Sequence, residues 1–196
     1  MIEPTIDRSS VLPGEPFPLP LQTERLRLRP FSIDDADALF AIHGDPVACR
    51  YMTGTLTRAA SLDNLRALIS RVDQTGYGPF AVELLSTPEV IGWAGVQQLP
   101  GYPMLEVLFA LKRERWGVGY ASECCQALLS TTFRQLGVKE VVATVDPRNL
   151  ASIAVLLRQG FVLNGAFTHK LQDAHGHLYR VTRDQFERAV HPTLAQ

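Results

Sequence analysis

The sequence predicts a single α/β (α+β) domain in which seven short strands form a mixed, largely antiparallel sheet flanked by helices. Three observations lead there. At 196 residues with 46% hydrophobic side chains, one core buries roughly 70% of the surface that the unfolded chain exposes, without a disulfide or metal staple. The apolar spacing switches between periods of 2 and 3.6 in the order β α α β β β α β α β β. Three of the strands follow one another across short turns, and the last two read as a hairpin.

The elements follow in order. Five of the thirteen prolines fall in residues 1–20, ending in Pro16-Phe17-Pro18-Leu19-Pro20; this run suits neither a helix interior nor a central strand and reads as an arm. The domain proper is expected over residues 21–190, with 191–196 as a tail. Thr23 to Pro30 alternates charge with Leu26 and Leu28, the period of a half-exposed strand. Ser32 precedes a helix with acids in its first turn and Gly44 at its end. A second helix is expected from Ser61 to Gln74, with Leu62, Leu65, Leu68, Ile69 and Val72 as its stripe and Gly76 beyond it.

Pro79–Leu85, Val90–Gln97 and Met104–Leu111 form the predicted meander. Trp116-Gly117-Val118-Gly119 turns into a helix over Tyr120–Leu136, apolar around most of its circumference and closed by Gly137. Glu140–Val145 is a compact strand. Asp146-Pro147-Arg148-Asn149 then enters a helix with Leu150, Ile153, Ala154 and Leu157 at i, i+3, i+4 and i+7, ended by Gly160. A hairpin over Phe161–Thr182, turning at Asp173-Ala174-His175-Gly176, completes the order.

Composition excludes several classes of function. With 19 Lys+Arg against 20 Asp+Glu and a formal charge of −1, the chain lacks the cationic excess that nucleic acid or anionic membrane requires. No apolar run approaches the ~20 residues of a membrane span, and no basic-then-apolar leader opens the chain, so a cytoplasmic location is expected. Cys49, Cys124 and Cys125 suit neither a disulfide framework nor metal ligation, and read as reduced, buried thiols. His169, His175 and His177 gather at the last hairpin, but no acidic or thiol partner completes a site, so no metal is expected.

The glycine-rich turn carries the chemistry. Gly117 and Gly119 let the backbone turn tightly and let a ligand approach the main chain. The amides of Val118 to Ser122 then converge at the positive end of a helix, a site suited to phosphate, with Lys112, Arg113 and Arg115 just before it. The alternative is a plain tight turn with solvated cations. A dinucleotide fingerprint fits poorly, since Ser122 stands at its third glycine, Glu140 opens the next strand instead of ending it, and a meander precedes the turn. No P-loop spacing exists.

The segment LEVLFALKRERWGVGYASECCQALL (Leu105–Leu129), the strand Glu140–Val145, Asn149-Leu150-Ala151-Ser152 and Gly160-Phe161 together resemble the GCN5-related N-acetyltransferase (GNAT) superfamily. The start Thr23-Glu24-Arg25-Leu26-Arg27-Leu28-Arg29-Pro30-Phe31 resembles T-x-R-L-x-L-R-x-[FW] of its ribosomal-protein N-terminal acetyltransferase (RimJ/RimL-type) branch. The resemblance spans about Thr23 to Glu187. It implies a sheet splayed between strands 4 and 5, and an acetyl-CoA-dependent N-acetyltransferase that moves an acetyl group to a primary amine by direct attack in a ternary complex. The implied partner is an amine acceptor, a small molecule or a protein N-terminus; a homodimer is compatible with it.

Residue by residue, Trp116, Gly117, Val118, Gly119, Tyr120 and Ala121 match the family's pyrophosphate loop [QR]-x-x-G-x-[GA], with Ser122 following and Trp116 in place of Gln/Arg. Arg113 or Arg115 is the candidate for the missing charge. Phe109, Ala110 and Leu111 hold the place of the strand that pairs with pantetheine, and Phe109 or Leu111 offers an N–H to the oxyanion. Asn149 and Ser152 match N-x-x-S, and also suit helix capping. Glu106, an acid in an apolar strand, is the candidate general base, with Glu83 second. The family's usual Tyr acid is replaced by Leu156, leaving Ser152 or a water to protonate the thiolate. Glu123 reads as structural, and Cys124 and Cys125 as unsuited to covalent catalysis. The acceptor is expected among residues 43–51, Tyr77, Trp93 and Tyr179. A non-catalytic acyl-CoA binder and a nucleotide-dependent oxidoreductase are the rival readings.

Overall fold

A computed structural model describes residues 15–168 and 175–191. Its strands are β1 (Leu21–Gln22), β2 (Leu26–Arg29), β3 (Gly78–Leu84), β4 (Val90–Gln98), β5 (Leu105–Leu111), β6 (Glu140–Val145), β7 (Val162–Thr168) and β8 (His175–Thr182). Its helices are α1 (Ala36–His43), α2 (Arg58–Thr75), α3 (Tyr120–Gln135), α4 (Leu150–Arg158) and α5 (Arg183–Val190), with 3-10 turns at Ile33–Asp35 and Arg113–Arg115. The strands lie in one sheet in the order β1-β2-β3-β4-β5-β6-β8-β7. All neighbours are antiparallel except β5 and β6.

Among the described residues eight strands stand where seven are expected. The extra one, Leu21–Gln22, pairs with Leu28 and Arg27, so Thr23 to Arg25 form a turn closed by Thr23 N–H donating to Leu26 O at 2.9 Å. Two residues are too few to show a period. The arm is packed from residue 15 onward. Phe17 is buried, its ring centroid 5.4 Å from that of Phe80 and 6.4 Å from that of Tyr77, and its N–H donates to Gly76 O at 3.1 Å.

The start of the domain is held by charges that alternate along β2. Leu26 and Leu28 are fully buried, which turns Arg27 and Arg29 to the other face. There both pair with Glu83 at 2.7 Å, and Arg29 also pairs with Asp35 at 2.8 Å. The second helix begins at Arg58, a turn earlier than expected, because Thr57 Oγ1 accepts from Ala60 N–H at 3.2 Å and caps it. It ends at Gly76, whose φ is 72°.

The principal core lies between the sheet and α3, α4 and α5, where Cys124, Cys125, Leu128, Leu129, Phe133, Leu156 and Phe186 meet Val107, Val141 and Val181. The stripe expected on α4 is rotated. Leu150 and Leu157 are 72% and 53% exposed, whereas Leu156 and Gln159 are buried. Residues 152, 155, 156 and 159 have the same i, i+3, i+4, i+7 spacing as 150, 153, 154 and 157, and it is this set that faces the core. α5 is absent from the expected order; it follows β8 directly through the Thr182–Gln185 capping box. The hairpin is present, but His175 and Gly176 belong to β8, opposite Thr168 and Phe167. The connection therefore falls at 169–174, outside the described residues, as do His169 and the putting together of the three histidines.

Candidate functional site

The parallel pair β5 and β6 is where the sheet opens. Their register holds one partnership, Glu106 with Val142, while β4 stays paired with β5 from Gln98↔Leu105 to Gly92↔Leu111. This is the splay expected between the fourth and fifth strands. Lys112 N–H donates to Ile91 O at 2.8 Å, so alternation along an extended strand turns the backbone groups of Ala110 toward β4 and those of Phe109 and Leu111 toward the opening. Of the three residues expected to pair with a ligand, Ala110 thus has its main chain in the ladder. Leu111 O accepts from Trp116 Nε1–H at 2.8 Å, so Trp116, in place of the family's Gln/Arg, braces the end of β5.

Beyond Trp116 the chain enters the loop that opens α3. Gly117 and Gly119 have φ of 77° and 91°, left-handed values that cost a side-chain-bearing residue about 1–2 kcal/mol. A Cβ on Gly117 meets nothing within 4 Å, so the loop is open on that side. Among the described residues, no backbone carbonyl accepts from the N–H groups of Gly117, Val118, Gly119, Tyr120, Ala121 or Ser122; the first of the helix to find one is Glu123 N–H, to Gly119 O at 3.0 Å. No side chain caps the helix either. An uncapped first turn with convergent donors and the positive helix end is an anion site.

The cation beside it is not one of those expected. Lys112 and Arg115 pair with Glu89 at 3.2 and 2.5 Å, and Arg113 with Asp45 at 3.2 Å. Arg25 stands at the loop instead. Its Nη1 donates to Val118 O at 3.1 Å, its guanidinium lies 4.6 Å from the Tyr120 ring centroid, and it pairs with Glu123 at 2.7 Å. Thr23 Oγ1 and Arg25 N–H also donate to Glu123 Oε1, at 2.5 and 2.9 Å. Glu123 is therefore the structural anchor it was read as. The signal for Arg25 was the T-x-R start itself, whose target lies nearly a hundred residues away.

At the closed end of the split, Glu106 is 6% exposed. Its Oε1 accepts from Thr144 N–H at 3.2 Å and from Thr144 Oγ1–H, and Gln97 Nε2–H donates to its Oε2 at 3.4 Å. Glu83 does not fit the part of second candidate base. Its hydrogen bonds to Arg29 and then Arg27 outweigh burial and hold its carboxyl below the usual carboxylate range. A carboxylate committed to two guanidiniums is a poor proton acceptor.

Asn149 caps α4, its Oδ1 accepting from Ser152 N–H at 3.2 Å. Ser152 is half-buried on the helix face that carries Leu156. Leu156 itself lies in the core and has no proton to give. Burial raises the thiols of both Cys124 and Cys125, the latter to about 12, which leaves them unreactive at neutral pH. Of the residues expected around the acceptor, Tyr77 is buried, with its hydroxyl donating to Glu15 O at 2.6 Å; packing of the arm withdraws it from any cleft. Tyr179 is also in the core, and His43 is buried against Ser61 Oγ at 3.0 Å. Tyr51 sits 5.9 Å from the Arg148 guanidinium, bringing the α1–α2 connection to the turn before α4. No helix among the described residues is long and apolar enough to cross a membrane.

Comparison with known proteins bears on this geometry. A family model described as "Acetyltransferase (GNAT) domain" matches residues 25–162. The chain is 33% identical over 150 residues to an uncharacterized N-acetyltransferase, p20, of Bacillus licheniformis, covering 74% of this chain and 83% of that protein. Among solved structures it is similar to a candidate ribosomal-protein-serine acetyltransferase of Vibrio cholerae, with a TM-score of 0.74 at 18% identity over 86% of this chain and 99% of that one. It is also similar to AAC(6')-Ib in complex with ribostamycin and coenzyme A, with a TM-score of 0.70 at 20% identity over 84% and 97% of the two chains. The two structural likenesses speak for the fold.

Proposed function

The chain belongs to the GNAT acetyltransferases, and from that premise we propose that it moves the acetyl group of acetyl-CoA to a primary amine by direct attack within a ternary complex. The observation that carries this reading is the uncapped start of α3 beside the split between β5 and β6. The residues there fit a pyrophosphate: two left-handed glycines, six N–H groups without a backbone acceptor and the Arg25 guanidinium. When bound, acetyl-CoA supplies an activated thioester carbonyl.

In this reading Gly117 to Ser122 bind the pyrophosphate through main-chain N–H groups, while Trp116, whose own N–H donates to Arg113 O at 3.1 Å, braces the loop, and the split-facing backbone of Phe109 and the N–H of Leu111 are offered to the pantetheine arm. Asn149 shapes the turn at the mouth of the split, and Ser152 relays to the leaving thiolate the proton that the attacking nitrogen sheds as the amide forms. Glu106 takes the proton that the ammonium of the acceptor must lose before it attacks, directly or through water, since an alkylamine is protonated at neutral pH. No metal is needed for these steps. The reaction is placed in the cytoplasm, in keeping with three buried free thiols.

The T-x-R-L-x-L-R start supports the narrower RimJ/RimL-type reading, with a protein N-terminus as acceptor. The ribostamycin complex of AAC(6')-Ib makes an aminoglycoside amine the competing acceptor. Leu156, buried where a Tyr acid is usual, favours one second reading, a non-catalytic acyl-CoA-binding module.

Calorimetric titration with acetyl-CoA, CoA and NAD in parallel tests the premise of the site, with micromolar affinity expected for the two CoA ligands alone. A response to NAD, or to none of the three, overturns it. A thiol-release assay over N-terminal peptides and aminoglycosides then separates the readings: tight binding with no thiol released from any amine leaves the non-catalytic module.

A further inference from the structure

We propose that Thr144 is a positioning residue that holds the Glu106 carboxylate at the closed end of the split. The inference rests on the reading of Glu106 as the base and adds to it the group that orients the base. Glu106 and Val142 form the last register pair of β5 with β6. Two residues further along β6, the Thr144 N–H would reach for a β5 carbonyl if the two strands continued as a ladder. It donates instead to Glu106 Oε1 at 3.2 Å, and the Thr144 hydroxyl donates to the same oxygen. A side chain of β5 thus takes over the work of its backbone at the point where the strands part, and its rotation is set from β6.

The other oxygen is met from β4. Arg71 Nη1 donates to Gln97 Oε1 at 2.9 Å, which fixes the amide so that Nε2–H faces Glu106 Oε2 at 3.4 Å. The carboxylate is therefore held from both neighbouring strands. The Thr144 contacts, two donors on one oxygen, define its plane, and a base misaligned with the proton it must take loses rate while the cofactor still binds.

Two substitutions separate this from the underlying reading. Thr144→Val keeps the shape of the side chain and removes the hydroxyl donor. Its kcat is expected to fall about tenfold, the effect of about one charge-assisted hydrogen bond, with the KM for acetyl-CoA within twofold of wild type, and Thr144→Ser is expected to restore most of the loss. Glu106→Gln can still accept from Thr144 but cannot take a proton. In protein labelled with 13C at the glutamate side-chain carboxyls, the resonance that Glu106→Gln removes should shift in Thr144→Val and return in Thr144→Ser. An unmoved resonance, or a Thr144→Val enzyme with wild-type kcat, overturns the role of Thr144 while a slow Glu106→Gln keeps the base. Wild-type turnover by Glu106→Gln overturns the base itself. Parallel loss of kcat, KM and melting temperature in Thr144→Val, without rescue by Ser, makes Thr144 merely structural.

Discussion

The helices α3 and α5 start in opposite ways. At α5, Thr182 Oγ1 accepts from Gln185 N–H at 3.4 Å and Gln185 Oε1 accepts from Thr182 N–H at 2.9 Å, so the helix satisfies its own first donors. It then buries Phe186 against Phe133, ring centroids 5.6 Å apart. At α3 the cap position is Gly119, which has no side chain to offer, and the first turn keeps its N–H groups open. What holds that end is placed outside the donor ring: Glu123 reaches back to Thr23 and Arg25, and Arg25 holds the Val118 carbonyl. A helix start that serves only the fold closes itself. One that serves a ligand is anchored by its neighbours so that its donors stay unspent.

The comparison breaks most visibly at Gly119. Gly119→Trp places a bulky side chain at a left-handed position on the rim of the donor ring. The affinity for acetyl-CoA is expected to fall at least a hundredfold, while the left-handed backbone costs about 1–2 kcal/mol of stability. Isothermal titration beside a thermal melt reads both, and unchanged affinity would remove the loop from the site. Thr182→Ala is the counterpart at α5: loss of the cap is expected to cost about 1 kcal/mol in denaturant unfolding and to leave acetyl-CoA affinity as it was. A weaker affinity in that variant would mean that the two helix starts are coupled.

Only the α3 side of this contrast is legible in the sequence. Gly117, Gly119 and the long helix behind them are local signals, because glycine pairs before an apolar helix constrain the backbone where they stand. The Asn149 cap is local in the same sense. The α4 stripe differs from the expected one because Leu150, Ile153, Ala154 and Leu157 share their spacing with residues 152, 155, 156 and 159, and only tertiary packing decides between the two sets. α5 escaped notice because eight residues with Phe186 and Val190 as their apolar pair give a weak period, although Thr182-x-x-Gln185 is a capping box in plain view. Long-range polar pairing was illegible throughout. Nothing near Glu89 says that it draws Lys112 and Arg115 away from the loop, and nothing near Gly119 says that Arg25 takes their place. Tyr77 failed as an acceptor residue for a related reason, since Glu15 and Phe17, which cover it, come from a proline-rich arm with no period at all.

The smallest effect expected is also the one that tests how α3 is anchored. Burial raises the Glu123 carboxyl, but hydrogen bonds from Thr23 and from the backbone and side chain of Arg25, with the charge of Arg25, outweigh it and leave the group below its ordinary value. A carboxylate whose folded value is depressed contributes stability that is fully present above its unfolded value, about 4.3, and is lost as pH falls through the folded one. The cap of α5 is made by Thr182 and Gln185, neither of which titrates in that range. Hydrogen exchange followed from pH 5 downward should therefore show protection at residues 123–126 falling before protection at residues 185–188. In Glu123→Gln the amide can still accept from Thr23 but carries no charge for Arg25, so protection at the start of α3 should be lower at pH 5 and nearly flat with pH. If the two helix starts lose protection together in the wild type, the anchor at Glu123 is not what keeps the donors of α3 in place, and the loop is held by Trp116 and the end of β5 instead.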